Sequence, residues 1–280
     1  MLKTRVLTAI ALLPVVLGML FLAGTAAWVA FAAAIALVSC WEWSRLCGFS
    51  PGARALFLAA SGAIACALAA ARLAGPPALF ANVAQAAFVA AAYFWIFAVP
   101  AWLALRLRPE PWACGLAGWF VLWPMWAALV VLREAGPWVL LACAALVWVA
   151  DIAAYFAGHR FGRRKLAPAI SPGKTWEGVI GAILGVLAYG VALDILAHVR
   201  PGPLTPHFEA AAGLPALAAM VGLTALSILG DLFESWMKRG AGRKDSSSLL
   251  PGHGGVLDRI DALVAAMPPA ALAAHWFLRD

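Results

Sequence analysis

The sequence predicts an all-α, polytopic integral membrane protein of about nine transmembrane helices, with its N-terminus in the cytoplasm. Three observations predict it. Of 280 residues, 65% are hydrophobic and only 12% are charged, against about 25% charged in ordinary soluble domains. Mean hydropathy is +0.91, and apolar blocks of roughly 20 residues, the length that crosses a bilayer, follow one another along the chain. These blocks are rich in alanine and leucine rather than short and alternating, which argues against a transmembrane β-barrel.

Taken in order, the spans are drawn at 6–23, 26–44, 55–74, 80–105, 112–132, 137–157, 176–198, 214–237 and 259–278. The first imitates a signal peptide, with Lys3 and Arg5 ahead of an apolar run. That run exceeds the ~7–15 residues of a signal core, so a retained span is expected. The first two spans meet almost without a loop at Gly24-Thr25. Turn residues separate the others: Ser50-Pro51-Gly52, Gly75-Pro76-Pro77, Pro109-Glu110-Pro111, Gly136-Pro137, and Pro201-Gly202-Pro203 with Pro206. Pro268-Pro269 interrupts the last span and predicts a kink or a partly re-entrant segment. Trp41, Trp43, Trp112, Trp119, Trp138 and Trp176 fall near span ends, as an interfacial belt would. The chain divides into an N-terminal set of helices, 1–135, and a C-terminal region, 136–280, which carries two charged cytoplasmic loops at 158–176 and 238–258.

With the N-terminus inside, sixteen of the twenty lysines and arginines fall on cytoplasmic segments, leaving Arg72, Arg133, Arg200 and Arg279 outside. This positive-inside bias and an anionic substrate account for the net charge of +7. No basic helix or aromatic-basic stripe points to nucleic acid. The five cysteines are scattered singly without a CxxC pair and read as packing residues.

Acids are the scarcer signal, at thirteen in the chain. Glu42, Glu110, Glu134, Glu209 and Asp280 fall in loops or at span edges and are assigned no special role. Asp194 lies toward the outer end of its span, as an interfacial or packing group. The remaining seven, Asp151, Glu177, Asp231, Glu234, Asp245, Asp258 and Asp261, gather at or beside the two cytoplasmic loops, where charge in so apolar a chain is costly and points to function. Asp231, Glu234 and Lys238 are spaced three and four apart, so they share a helical face. Asp258 and Asp261 share another at the start of the last span. Carboxylates from two helices joined by a tight loop make a hard-cation site suited to Mg²⁺. The loop between them alternates Lys238, Arg239, Arg243, Lys244 and Arg259 with glycines, among them Gly254 and Gly255, whose backbone N–H groups can approach phosphate closely. His253 stands between glycines, where it can order the loop or touch phosphate.

In the first loop Asp151, Tyr155 and His159 lie on one face. Gly173-Lys174-Thr175 is suggestive of a P-loop, but that pattern needs a glycine where Pro168 stands. What remains is Lys174 at a helix start, favourable for an anion, with Thr175 or Ser171 as the cap.

These residues closely resemble the phosphatidate cytidylyltransferase (CDP-diacylglycerol synthase) family. Its signature is met by Ser235, Lys238, Arg239, Lys244, Asp245, His253, Gly254, Gly255, Asp258, Arg259 and Asp261. Its upstream elements are met by Asp151, Ala154, Tyr155, Gly158, Phe161, Gly162, Ser171, Pro172, Lys174, Thr175, Glu177 and Gly178. The resemblance covers most of 151–261. It implies cytidylyl transfer from CTP to phosphatidic acid with Mg²⁺, a second cation being left open. It implies Asp231, Asp258 and Asp261 as metal ligands, and Lys174, Lys238, Arg239 and Lys244 on phosphates. Asp245, His253 and Arg259 would order the loop or touch substrate, with Asp151, Ser171 and Glu177 completing the wall. It further implies a bacterial inner membrane, a site facing the cytoplasm, and a homodimer that no motif here encodes. The competing readings are a CTP-dependent lipid kinase, a cytidylyltransferase for another lipid phosphate and, more remotely, an ion-coupled transporter, which would carry its charges at mid-span.

Overall fold

The computed structural model describes residues 2–199 and 213–277, with the side chains of 7–196 and 213–274. The Pro201–Pro206 turn signals lie outside the described residues, as do the side chains of Lys3, Arg5, Arg200, Glu209, Arg279 and Asp280. Nine long helices run through what is described: α1 (Leu2–Phe21), α2 (Thr25–Ser44), α3 (Pro51–Leu73), α4 (Pro77–Ala104), α5 (Pro111–Ala135), α6 (Pro137–Phe161), α7 (Trp176–Val199), α8 (Leu214–Gly240) and α9 (Leu257–Phe277). Among the described residues seven of them, α2 to α8, are long and apolar enough to cross a membrane.

Prolines set the starts. Pro51, Pro77, Pro111 and Pro137 open α3 to α6 and Pro215 stands in the first turn of α8, where the missing N–H has no intrahelical partner to lose. In α4 the problem is internal: Pro100 cannot donate to the Ile96 carbonyl, and the helix widens into a π turn over Phe94–Ala98. The last helix, α9, is continuous. It runs unbroken through Pro268-Pro269 because it is the axis of the bundle, packed against α2, α4, α5, α6 and α8. Neighbouring helices on so many sides hold a helix together where proline removes its bonds. Through α9 the N-terminal and C-terminal regions form one packed bundle.

α6 and α7 lie closest together because small residues face each other: a Cβ on Gly185 would stand 2.6 Å from the Ala153 Cβ, and Gly181 faces Ala157 in the same way. At the site end of the bundle, the Phe233 ring is walled by Trp43, Phe94, Trp95 and Trp102, with centroids 5.4 to 6.0 Å away. Trp43 is therefore interior rather than part of a belt, and its Nε1 donates to the Cys114 carbonyl at 2.8 Å. Trp119 likewise turns inward to Ser61 Oγ at 2.8 Å, while Trp41, Trp112, Trp138 and Trp176 remain exposed.

The all-α expectation has one exception. A small antiparallel hairpin, β1 (Lys165–Ala167) and β2 (Ser171–Thr175), pairs Lys165 with Thr175 and Ala167 with Ser171. Pro168 and Pro172 disfavour helix here, so Lys174 sits in a strand rather than at the helix start expected for it.

Candidate active site

The acids of α8 meet those of α9 because Gly230 has no side chain. A Cβ there would lie 2.9 Å from the Ala265 Cβ and collide with the Asp261 carbonyl, so the two backbones touch at this level. Asp231 consequently lies within electrostatic reach of Asp261 and of Asp151 on α6. Lys174 enters from the hairpin. Its Nζ stands 2.7 Å from Asp231 Oδ2 and 3.4 Å from the Ile228 carbonyl. Ser235 Oγ donates to Asp231 Oδ1 at 3.2 Å. The hairpin of the first charged loop is thus tied to α8, at a residue 57 positions further along the chain, by a partly exposed ion pair.

Behind this pair lies a buried network. Lys238 Nζ is 2.7 Å from Glu234 Oε2 and 2.7 Å from Asp258 Oδ1, with all three side chains nearly inaccessible. Asp258 Oδ2 accepts from Ser246 N at 2.9 Å, Ser246 Oγ at 2.9 Å and Gly255 N at 2.8 Å. Gly254 makes room for this: its φ is +83° and a Cβ would stand 2.7 Å from Asp258 Oδ2. Lys238 and Asp258 therefore brace the second loop against α8. Asp261 lies against Glu234 at the edge of the same network.

Sequence reasoning gave Glu42 no role, and the structure corrects this. Glu42 is fully buried and accepts four hydrogen bonds from the second loop and the start of α9. Oε1 takes Ser247 Oγ at 2.6 Å and Val256 N at 2.9 Å. Oε2 takes Leu257 N at 2.6 Å and, as the longer branch of a bond whose one proton is shared with Asp258 Oδ2, Ser246 Oγ at 3.2 Å. Some 200 residues of chain separate it from its partners, so no local spacing could reveal the contact. A signal did exist: a carboxylate between Trp41 and Trp43 in an apolar span is expensive unless it is held.

The remaining sequence-predicted residues divide by role. Thr175 is the cap, its Oγ1 accepting from Gly178 N at 3.1 Å. Glu177 clamps backbone, accepting from Arg163 N at 3.1 Å and Arg164 N at 3.2 Å. Tyr155 is exposed and stacks on His159 at 6.0 Å. Ser171 sits in β2, and His253 is half-buried in the tight turn where its N–H donates to the Leu250 carbonyl. Arg239, Lys244, Asp245 and Arg259 are exposed. Among the described residues no three His, Cys, Asp or Glu side chains stand, as placed, close enough to hold a metal ion.

Comparison with known proteins fits this arrangement. The profile of the cytidylyltransferase family matches residues 3–277. The chain belongs to the cytidylyltransferase family. Within the family it is similar over its whole length to the phosphatidate cytidylyltransferase of Pseudomonas aeruginosa, at 40% identity over 291 residues and 99% of each chain. The phosphatidate cytidylyltransferase of Haemophilus influenzae is 52% identical over 123 residues, which is 44% of this chain and 41% of that one. That of Thermotoga maritima is 41% identical over 121 residues, 43% of each chain.

Proposed function

We infer that this cytidylyltransferase-family chain transfers the cytidylyl group of CTP to phosphatidic acid, giving CDP-diacylglycerol and pyrophosphate. The observation that carries the reading is the Lys174–Asp231 pair, which ties the first motif loop to the acid-bearing helix α8 in a chain that aligns end to end with a phosphatidate cytidylyltransferase. In the reaction an oxygen of the lipid phosphate bonds to the α-phosphorus of CTP, and the bond from that phosphorus to the bridging oxygen breaks. No protein nucleophile is required, so the work is positioning and charge stabilisation. Lys174, Arg239, Lys244 and Arg259 are accessible enough to bind phosphate oxygens, while the backbone around Gly254 and Gly255 is ordered by Asp258.

The donor chemistry fits Mg²⁺. Magnesium commonly takes one or two protein carboxylates and fills its remaining positions with water and substrate phosphate. Asp231, half exposed, and Asp261 beside it provide that set, with Asp151 near; both Asp258 oxygens are engaged by protein donors. When bound, the ion would neutralise charge on the triphosphate. Release of Lys174 from Asp231 would turn its ammonium toward the same phosphates.

Nine spans, a cytoplasmic N-terminus and a cytoplasmic site in a bacterial inner membrane complete the proposal. Thr8 Oγ1 on α1 donates to the Pro251 carbonyl at 3.0 Å, which supports setting the N-terminal helix at the same end as the second loop. Arg133 caps α1 at the other end, donating to the Leu20 carbonyl at 2.9 Å. The homodimer rests on the family resemblance alone and is tested by the mass of the detergent-solubilised particle.

The deciding experiment is incubation of purified protein with CTP, Mg²⁺ and phosphatidate in detergent. Pyrophosphate release with a lipid heavier by one CMP unit is expected. A lipid heavier by one phosphate would instead identify a lipid kinase, and no turnover beside an active control would revive the transporter.

A further inference from the structure

A polar opening lies beside the C-terminal end of α8. It is a cavity of about 300 Å³ between the end of α2, the loop joining α4 to α5, and the end of α8. Three guanidinium groups line it, Arg45, Arg108 and Arg243, and no carboxylate does. None of the three has an ion-pair partner among the described residues. The rest of the lining is apolar, led by Leu46, Leu107 and Trp236. Its wall is built rather than incidental: the indoles of Trp102 and Trp236 both donate to the Leu107 carbonyl, each at 3.1 Å. Arg45 is held by the Trp41 ring, 4.9 Å from its centroid. Of its lining residues only Arg243 belongs to the charged loop of the candidate active site, and none is among the acids or Lys174.

Three arginines without an ion-pair partner among the described residues, set beside apolar surface at the end of a helix bundle, suit an anionic amphiphile. We propose that this cavity binds the phosphate-bearing headgroup of an anionic membrane lipid, at a site distinct from the one that holds substrate. Basic pockets between membrane helices recognise such headgroups through charge-assisted hydrogen bonds, while the acyl chains remain in the bilayer. The volume is at the low end of the roughly 300–1,000 Å³ of small-molecule sites, which favours a compact headgroup over a whole nucleotide. Occupancy would also bear on the second loop, because Arg243 belongs to it and its N–H is bonded to the Lys238 carbonyl at 2.8 Å. The proposal needs a bilayer around the chain but not the cytidylyl-transfer reading.

The test measures binding of short-chain phosphatidylglycerol, short-chain phosphatidylcholine and inorganic phosphate to the detergent-purified chain, by titration calorimetry. The anionic lipid is expected to bind roughly tenfold or more tighter than the zwitterionic one, and less tightly as salt rises. Arg108→Gln is expected to weaken it roughly tenfold, the worth of one charge-assisted hydrogen bond, and Arg108→Lys to recover part of the loss. Arg108 is exposed, so neither change threatens the fold. Lys174→Ala, which alters the candidate active site, should leave this binding unchanged. Equal binding by wild type and Arg108→Gln, loss in Lys174→Ala instead, or phosphate displacing the lipid at equal concentration would overturn the proposal.

Discussion

Replacing Glu42 by glutamine tests how the second loop is held. In the native protein both carboxylate oxygens accept from two donors each, and the group is fully buried. The glutamine amide keeps one acceptor oxygen and turns an NH₂ toward the other pair of donors. If the oxygen keeps Ser247 and Val256, the NH₂ meets Ser246 Oγ, which can rotate to accept, and Leu257 N, which cannot. That N–H stands 2.6 Å from the native Oε2, so two donors would then face each other. Losing one charge-assisted bond to a buried N–H costs ~1.5–3 kcal/mol, and the opposed donors bring the total to roughly 2–4 kcal/mol. At about 1.4 kcal/mol per factor of ten, the closed-to-open ratio of the loop falls roughly 30- to 800-fold. Hydrogen exchange over 245–257 and steady-state turnover read the effect. Exchange should quicken there and kcat/KM should fall, while exchange in α5 and the Mg²⁺ dependence stay as they were. Glu42→Gln with native exchange in the loop and native turnover would refute the reasoning.

Three further substitutions separate bracing from chemistry. Lys238→Met leaves Glu234 and Asp258 buried without their cation and should destabilise the fold by about 3–5 kcal/mol, seen as a lowered unfolding temperature in detergent. Asp231→Asn removes a half-exposed carboxylate, so stability should change by less than about 1 kcal/mol while Mg²⁺-dependent turnover is lost; a Mg²⁺ titration of pyrophosphate release checks it. Gly230→Ala drives a methyl into the Asp261 carbonyl and Ala265, and overpacking of about 1–3 kcal/mol is expected, with turnover falling as α8 and α9 separate.

Much of the fold is legible in the sequence for a simple reason: in a bilayer every backbone polar group must be satisfied within its own segment, so length and apolarity alone declare helices. All nine proposed spans coincide with long helices, and their ends differ by four residues or fewer. The hairpin at 165–175 escaped because short strands of mixed polarity carry no periodic signal. Motif spacing grouped Asp231 with Asp258 and Asp261 and the family resemblance added Lys174 on phosphate; in the structure Lys174 pairs with Asp231 and Asp258 with Lys238. Lys238 looked like a phosphate ligand and is enclosed between two acids. Asp258 looked free to bind metal and has both oxygens occupied by protein donors.

By itself, then, the sequence determined that this is a chain of apolar helices bearing a concentrated, charged, glycine-rich pair of loops, because hydropathy and motif spacing are local properties. Only the tertiary structure decided which charges are enclosed by protein partners and which stay partly exposed. That choice depends on partners supplied from distant elements: Glu42 from α2, Lys174 from the hairpin, and the close backbone approach at Gly230. A carboxylate surrounded by donors and one left half exposed read identically as letters; burial and neighbours make the difference.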